Sequence, residues 1–397
     1  MSDVQDRALE RRIARELDSL REQAQFRSLE ILDGAAGLNL CSNDYLGLST
    51  DPRLKQAVID AVTRAEQVGS TGSRLLSGNS REWEEIESEF AAFAGTEAAL
   101  YFGSGYAANI GLLSSLLRPG DTVFSDALNH ASLIDGIRLS GAAKVIYPHA
   151  DLDFLEGALR DCADSGGARV IVTETVFSME GDIAFLAALA ALARKYDAAL
   201  IVDEAHATGV CGPEGRGLTA ELGVEREMLA IVHTCGKALA SAGAFVCGSA
   251  ALRDHLINRA RTFIFSTAMP PYLAGQIRAA LALARAADAE RAHLRAIASE
   301  LREGLAAAGL ACSTSTAQIV PVILGANEAA LHVASELQRG GFAVKAIRPP
   351  TVPPGTARIR ISLTSKVSVD DIRRLVAAIS AAHKSLPHSI SASVVRA

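Results

Sequence analysis

Asp203 and His206 follow directly on the apolar run Leu200-Ile201-Val202 and precede Gly209 in this chain of 397 residues. A carboxylate and an imidazole just past a buried strand lie where an α/β protein binds a cofactor. A fixed, partly buried carboxylate keeps a pyridine nitrogen protonated, the state in which such a ring draws electrons from its substrate. Asp203 is therefore a candidate partner for a ring nitrogen; a helix cap or a structural ion pair accounts for its position equally well. His206 can hydrogen-bond a cofactor's phenolic oxygen and a substrate carbonyl, with a solvated loop histidine as its plainer reading.

A second run, Ala230-Ile231-Val232-His233-Thr234-Cys235-Gly236-Lys237, presents one lysine beyond a strand, and no charge follows from Ala238 to Val246. Desolvation there lowers a lysine's pKa and frees a neutral amine for imine formation, whereas a lysine snorkelling out of a buried segment is the alternative. Lys237 with Asp203 points to pyridoxal phosphate. Thr234 is placed to give its hydroxyl to the phosphate, and Gly103-Ser104-Gly105-Tyr106 is a glycine-rich turn whose backbone amides can hold a phosphate at a helix start. Tight turns also need glycine for geometry alone. His130, in Asn129-His130-Ala131-Ser132, can stack on the pyridine face, or can lie exposed behind an Asn129 cap. Near the C-terminus, Arg358 and Arg360 flank Ile359 and share one strand face by the two-residue period, so one of them can clamp a carboxylate.

These residues need a frame. Short β-rich runs at Ala98–Phe102, Thr122–Ser125, Val170–Thr173 and Leu200–Asp203 alternate with helical stretches over residues 52–290. That order predicts an α/β fold with a mainly parallel, doubly wound sheet, its all-apolar strands covered on both faces. Strands near Ile319–Leu324, Val344–Ile347 and Arg358–Leu363, with helices between them, predict a smaller α+β domain over 291–384. Residues 1–51 form an arm, in which Leu9, Ile13, Leu17 and Leu20 stripe a helix over 5–27 that would lie across another surface. The tail 385–397 has little periodicity and is expected to be mobile.

Composition narrows the function. With 39 Lys+Arg against 45 Asp+Glu, the net charge of -6 provides no positive field for nucleic acid or an anionic membrane. Cys41, Cys162, Cys211, Cys235, Cys247 and Cys312 contain no C-x-x-C pair, which fits packed, reduced thiols in a cytoplasm better than disulfides or a metal site. The run Ile183–Ala193 is too short to span a bilayer, and Met1–Arg15 has no apolar signal core. Small-molecule chemistry in the cytoplasm is the expectation.

In this order the motifs resemble the α-oxoamine synthases, fold-type I pyridoxal-phosphate enzymes, over about residues 27–383. The resemblance implies Lys237 as imine lysine and base, Asp203 on the ring nitrogen, His130 stacked on the ring and His206 near the phenolic oxygen. It further implies Gly105, Tyr106, Ser178 and Thr234 at the cofactor, and Arg27, Asn43, Thr351 and Arg360 at the substrates. Thr267 matches a residue that reaches the phosphate across a dimer interface, so a homodimer is implied. Ser42–Leu48 and Arg348–Arg360 are most similar to the branch that condenses L-alanine with a pimeloyl thioester, on CoA or a carrier protein, with loss of carbon dioxide. The rivals are another family member using glycine or serine with a different acyl thioester, an aminotransferase or lyase on the same fold, and a non-catalytic protein. Ala240 departs from the glycine of many relatives in the turn after Lys237.

Overall fold

The computed structural model describes residues 7–29, 31, 37–162, 166–310 and 315–387. Its strands are β1 (Leu38–Asn39), β2 (Ala98–Phe102), β3 (Thr122–Asp126), β4 (Ala143–Tyr147), β5 (Arg169–Glu174), β6 (Ala199–Asp203), β7 (Ala230–Thr234) and β8 (Ala244–Gly248). The chain then adds β9 (Ile319–Gly325), β10 (Phe342–Ala343), β11 (Ala346–Ile347) and β12 (Ala357–Ser362). Seven strands form one sheet in the order β2-β8-β7-β6-β5-β3-β4, parallel throughout except for β8, which runs against both neighbours. The expected mainly parallel α/β sheet is present. Its central strands are buried beyond their first residues, as in Val170-Ile171-Val172 and Ile201-Val202, because helices cover both faces.

One covering helix shows how the sequence makes this happen. Residues Arg81–Ala94 place Trp83, Ile86, Phe90 and Phe93 at three- and four-residue spacing, and all four are buried. Phe90 stacks on Phe245 of β8 with centroids 4.0 Å apart. Gly95, at φ 74, ends the helix in the left-handed conformation that glycine adopts without steric cost.

Strands β3, β5, β6 and β7 lie side by side and parallel, so their C-terminal ends open on one edge of the sheet. Glu174, Asp203 and Thr234 end three of these strands, and His130 and Lys237 lie just past β3 and β7. A second, antiparallel sheet, β11-β12-β9, carries Arg358 and Arg360 on β12. Segment 38–45 runs along this second sheet: β1 pairs with β10, and Ser362 and Ser365 donate their amides to the carbonyls of Leu40 and Tyr45.

Two expectations change in detail. The strand near Val344–Ile347 is instead two pairs of residues, β10 bonded to β1 and β11 bonded to β12, because the chain changes partner at Val344-Lys345. The arm helix covers Ala8–Glu22; Leu9, Ile13 and Leu17 of its stripe are exposed and Leu20 is half-buried, so among the described residues most of the stripe has no cover. The last helix, Val369–Lys384, opens on a Ser368/Asp371 capping box, and Leu386 is still buried beyond its end. The rest of the expected mobile tail, from residue 388, lies outside the described residues, as does Cys312.

Candidate active site

At the sheet's open edge is a cavity of about 330 Å³, bounded by Gly105, Asn109, His130, Asp203, His206 and Lys237 among others. Larger cavities lie elsewhere, but this is the one lined by the titratable cluster read from the sequence. Asp203 is buried at the end of β6, where its Oδ1 accepts the Ala205 amide at 2.8 Å and its Oδ2 accepts Asn109 Nδ2 at 2.7 Å. Asn109 also donates to the Ser132 hydroxyl at 2.9 Å, and that hydroxyl lies 2.8 Å from His130 Nδ1. The Ser132 amide donates to the same nitrogen at 3.2 Å, so Nδ1 is the acceptor and the imidazole carries its proton on Nε2. Burial lowers the His130 pKa; Asp203 opposes that shift and Lys237 adds to it. A neutral ring suits stacking.

Lys237 Nζ stands 2.8 Å from His206 Nε2, and His206 Nδ1 stands 2.6 Å from the hydroxyl of Tyr45. Burial brings the Lys237 pKa down to about 8 against the pull of Asp203 and Glu174, with Arg360 lowering it further. Burial, then the charges of Lys237 and Arg360, hold His206 well below its ordinary value, so it is neutral and its two nitrogens have different tasks. Glu174, buried at the end of β5, accepts the Ser178 amide at 3.2 Å on one oxygen. Burial and then the Asp203 charge push its pKa up to about 8.

The phosphate end of the cavity is built around glycine. Ser104 caps the helix Gly105–Leu116 by accepting the Ala107 amide at 3.0 Å, and the helix's first amides have no partner within it. A Cβ on Gly105 would lie 2.7 Å from Thr234 Cγ2, so only glycine lets this turn close on β7. Ala240, in the turn after Lys237, sits at φ 43, the left-handed region that glycine adopts more readily.

On β12 the two arginines differ sharply. Arg358 pairs with Glu180 at 2.8 Å and donates to the Met179 carbonyl at 3.2 Å. Arg360 gives Nε to the Ser178 carbonyl at 2.5 Å and both Nη atoms to Asn43 Oδ1 at 3.1 and 3.2 Å. Among the described residues no carboxylate pairs with Arg360, although it is 8 % exposed. A buried guanidinium without a counter-charge suits an anionic ligand.

The structure thus brings Lys237, Asp203, His206, His130, Gly105, Tyr106, Thr234 and Asn43 to one cavity, with Arg360 behind Asn43. Ser178 lies one contact away, through its carbonyl on Arg360. Arg27 and Thr351 meet each other at 3.3 Å but do not line the cavity. Thr267 is exposed and bridges to Ser73, also outside it. Sequence reasoning assigned no role to Asn109, Tyr45, Glu174, Ser132 or Gln318. Asn109 lies one helical turn beyond Gly105, a spacing that puts both on one helix face. Tyr45 follows Asn43 by two; nothing local marks Glu174. Gln318 donates to the His206 carbonyl at 2.8 Å from a distant strand start.

The residues fit pyridoxal phosphate. Asn109 Oδ1 and Glu174 Oε1 are buried without partners around the cavity, the helix start faces it, and one amine with a lowered pKa enters it. A phosphorylated pyridine with a phenolic oxygen uses each of these groups.

A mainly parallel sheet with this lysine and aspartate beyond its strand ends defines a fold-type I pyridoxal-phosphate enzyme. The family model for aminotransferase class I and II matches residues 35–379. The chain is 45% identical over 388 residues to an 8-amino-7-oxononanoate synthase of Geobacter sulfurreducens, covering 95% of this chain and 99% of that protein. It superposes on the 8-amino-7-oxononanoate synthase of Francisella tularensis at a TM-score of 0.77 and 32% identity, covering 89% and 99% of the two chains. A serine palmitoyltransferase from S. paucimobilis, solved with a pyridoxal-phosphate adduct of myriocin, superposes at 0.88 and 28% identity, covering 97% and 100%. The chain belongs to the aminotransferase class I and II family and, within it, to the α-oxoamine synthases. Its cofactor is pyridoxal phosphate. Among the described residues no helix is long and apolar enough to cross a membrane.

Proposed function

We propose that the chain condenses L-alanine with a pimeloyl thioester and releases carbon dioxide, giving 8-amino-7-oxononanoate for biotin synthesis. The geometric observation that carries the reaction type is the Lys237 amine 2.8 Å from a neutral His206, beside a buried guanidinium that has no carboxylate of its own. The choice of substrates is supported by the relatives of that name.

Pyridoxal phosphate, when bound, supplies the electron sink that lets an amino acid lose its α-proton or its carboxylate. Lys237 would hold the cofactor, and its Nζ would take the amino acid's α-proton; a pKa of about 8 keeps it a competent base near neutral pH. Asp203, oriented by Asn109 and the Ala205 amide, keeps the ring nitrogen protonated. His130 would stack on the cofactor's ring. His206 would contact its phenolic oxygen and steady negative charge at the thioester carbonyl. Gly105, Tyr106, Thr234 and Ser178 complete the cofactor's surroundings, and Arg360 with Asn43 holds the amino acid's carboxylate. Arg27 and Thr351 lie to the side from which the acyl chain enters.

We propose a division into an arm over 1–51, a cofactor-binding domain over 52–290 and a small domain over 291–384; the cofactor side of the site comes from the second, Arg360 from the third and Asn43 from the arm. A homodimer is supported by the resemblance, in which the position of Thr267 serves the phosphate of a second copy; Thr267 is exposed and away from the cavity of its own chain, as that reading requires. Cys41, Cys211, Cys235 and Cys247, which form no disulfide among the described residues, support a cytoplasmic setting.

Holoenzyme, L-alanine and pimeloyl-CoA should yield free thiol and carbon dioxide in equal amounts, with the amino ketone identified by mass. A pimeloyl carrier protein in place of pimeloyl-CoA shows which donor reacts faster. Turnover with glycine or serine and another acyl-CoA, but not with alanine, would replace this reading by its nearest rival. Release of a keto acid without thiol would make the chain an aminotransferase.

A further inference from the structure

Outside the cavity, one histidine is held between two carboxylates. His149, just past β4, places Nδ1 2.9 Å from Asp126 Oδ1 and Nε2 2.7 Å from Asp182 Oδ2. Two acceptors at the two ring nitrogens require both nitrogens to donate, so the ring is an imidazolium; a neutral ring would turn a lone pair on one carboxylate. Burial works against that charge, but the two carboxylates outweigh it and raise the His149 pKa to about 10. Glu180 and its partner Arg358 are the next charges on the Asp182 side. The Phe177 ring braces the imidazole edge-on, with centroids 4.4 Å apart.

The two carboxylates belong to the two halves of the active site. Asp126 ends β3 and, by accepting the Leu128 amide at 2.8 Å and the Ala150 amide at 3.1 Å, closes the turn that leads into His130. Asp182 ends a turn closed by Phe177 N–H donating to its carbonyl at 3.0 Å. That turn offers the Ser178 carbonyl to Arg360 and the Met179 carbonyl to Arg358. The imidazolium is a direct tie between them, alongside the contact of Asn129 Oδ1 with the Glu174 amide at 3.2 Å.

We propose that His149 is a positioning residue, a latch that sets the turn holding Arg360 against the loop carrying His130, and so the place where the amino acid's carboxylate is bound. This rests on the reading of Arg360 as the carboxylate site. Breaking the latch should weaken amino-acid binding more than cofactor binding, because the cofactor's own contacts lie on the sheet side of the tie.

The test uses holoenzyme and the Kd of L-alanine, read from the visible absorbance of the bound cofactor. Asp182→Asn keeps the shape but removes one charge, and His149→Gln keeps one donor only. Each should raise the alanine Kd by about tenfold while leaving the cofactor Kd within about twofold, since a charge-assisted hydrogen bond is worth more than a neutral one. Phe177→Leu, which loosens the packing but keeps both ion pairs, should lower Tm without moving the alanine Kd. An unchanged alanine Kd in Asp182→Asn and His149→Gln overturns the latch, as does an equal shift in Phe177→Leu. If the parent enzyme responds to none of alanine, glycine and serine, the reading of Arg360 fails. Backbone hydrogen exchange over 177–182 then decides the latch alone: faster exchange in Asp182→Asn than in Phe177→Leu supports it, and equal exchange refutes it.

Discussion

Replacing Arg360 and Arg358 in turn by methionine tests which guanidinium on β12 serves a ligand. Arg360 spends its donors on the Ser178 carbonyl, on Asn43 and on Ser362 at 3.1 Å, which leaves one Nη2 hydrogen and the whole positive charge for a carboxylate. One charge-assisted hydrogen bond contributes about 1.5–3 kcal/mol. Attraction between unit charges about 4 Å apart, at an effective dielectric near about 20, is about 4 kcal/mol before desolvation is subtracted. A net loss of about 3 kcal/mol in Arg360→Met corresponds to a rise of about 100-fold in the alanine Kd. Arg358→Met does something else: it removes the 2.8 Å ion pair of Glu180, whose side chain is 15% exposed. Breaking a buried pair costs about 3–5 kcal/mol, so this variant should lose Tm while the alanine Kd rises by less than about tenfold. Spectral titration with alanine and thermal melts of both holoenzymes supply the comparison. If Arg358→Met weakens alanine as much as Arg360→Met, the assignment drawn from their partners is wrong.

Lys237→Ala should abolish both the visible imine band of the resting holoenzyme and turnover, and survival of both would remove Lys237 from the centre of the site. In the cofactor-free protein, the rate of pyridoxal-phosphate capture should rise as pH approaches about 8 and level off above it, because the reactive form is the neutral amine and burial has brought its pKa down to about 8. A rise that continues to the ordinary lysine range in a stopped-flow pH series would contradict that environment. Asn109→Leu strands Asp203 Oδ2 and should raise the cofactor Kd by about tenfold, measured by equilibrium dialysis, in line with the loss of one hydrogen bond to a charged group. Ala240→Gly should raise stability by about 0.5–1 kcal/mol in denaturant titrations, since relief from the left-handed conformation exceeds glycine's added entropy cost; a loss of stability would show the turn to be unstrained.

Much of the frame was legible because it depends on local pattern. The run Ala98–Phe102 is read as a strand and is one, and the strands ending at Asp203 and Thr234 place their chemical residues where a parallel sheet opens. Lys237 stood out for the same reason: an uncharged stretch around one lysine implies burial, and burial lowers its pKa. The split of 342–347 into β10 and β11 was not legible, because each two-residue strand exists only through a partner elsewhere in the chain.

By itself, the amino-acid sequence determined the α/β class and the cofactor and singled out the residues proposed to carry it, since strand period, glycine turns and a desolvated lysine are properties of neighbours in the chain. Tertiary structure alone decided how those residues are held. Tyr45 reaches His206 across 161 positions, Asn109 reaches Asp203 across 94, and Asn43 reaches Arg360 across 317. The two-residue period put Arg358 and Arg360 on one face, but only packing gave one of them Glu180 and left the other for a ligand. Local pattern sets which way a side chain points; which charge it meets depends on what the rest of the chain folds against it.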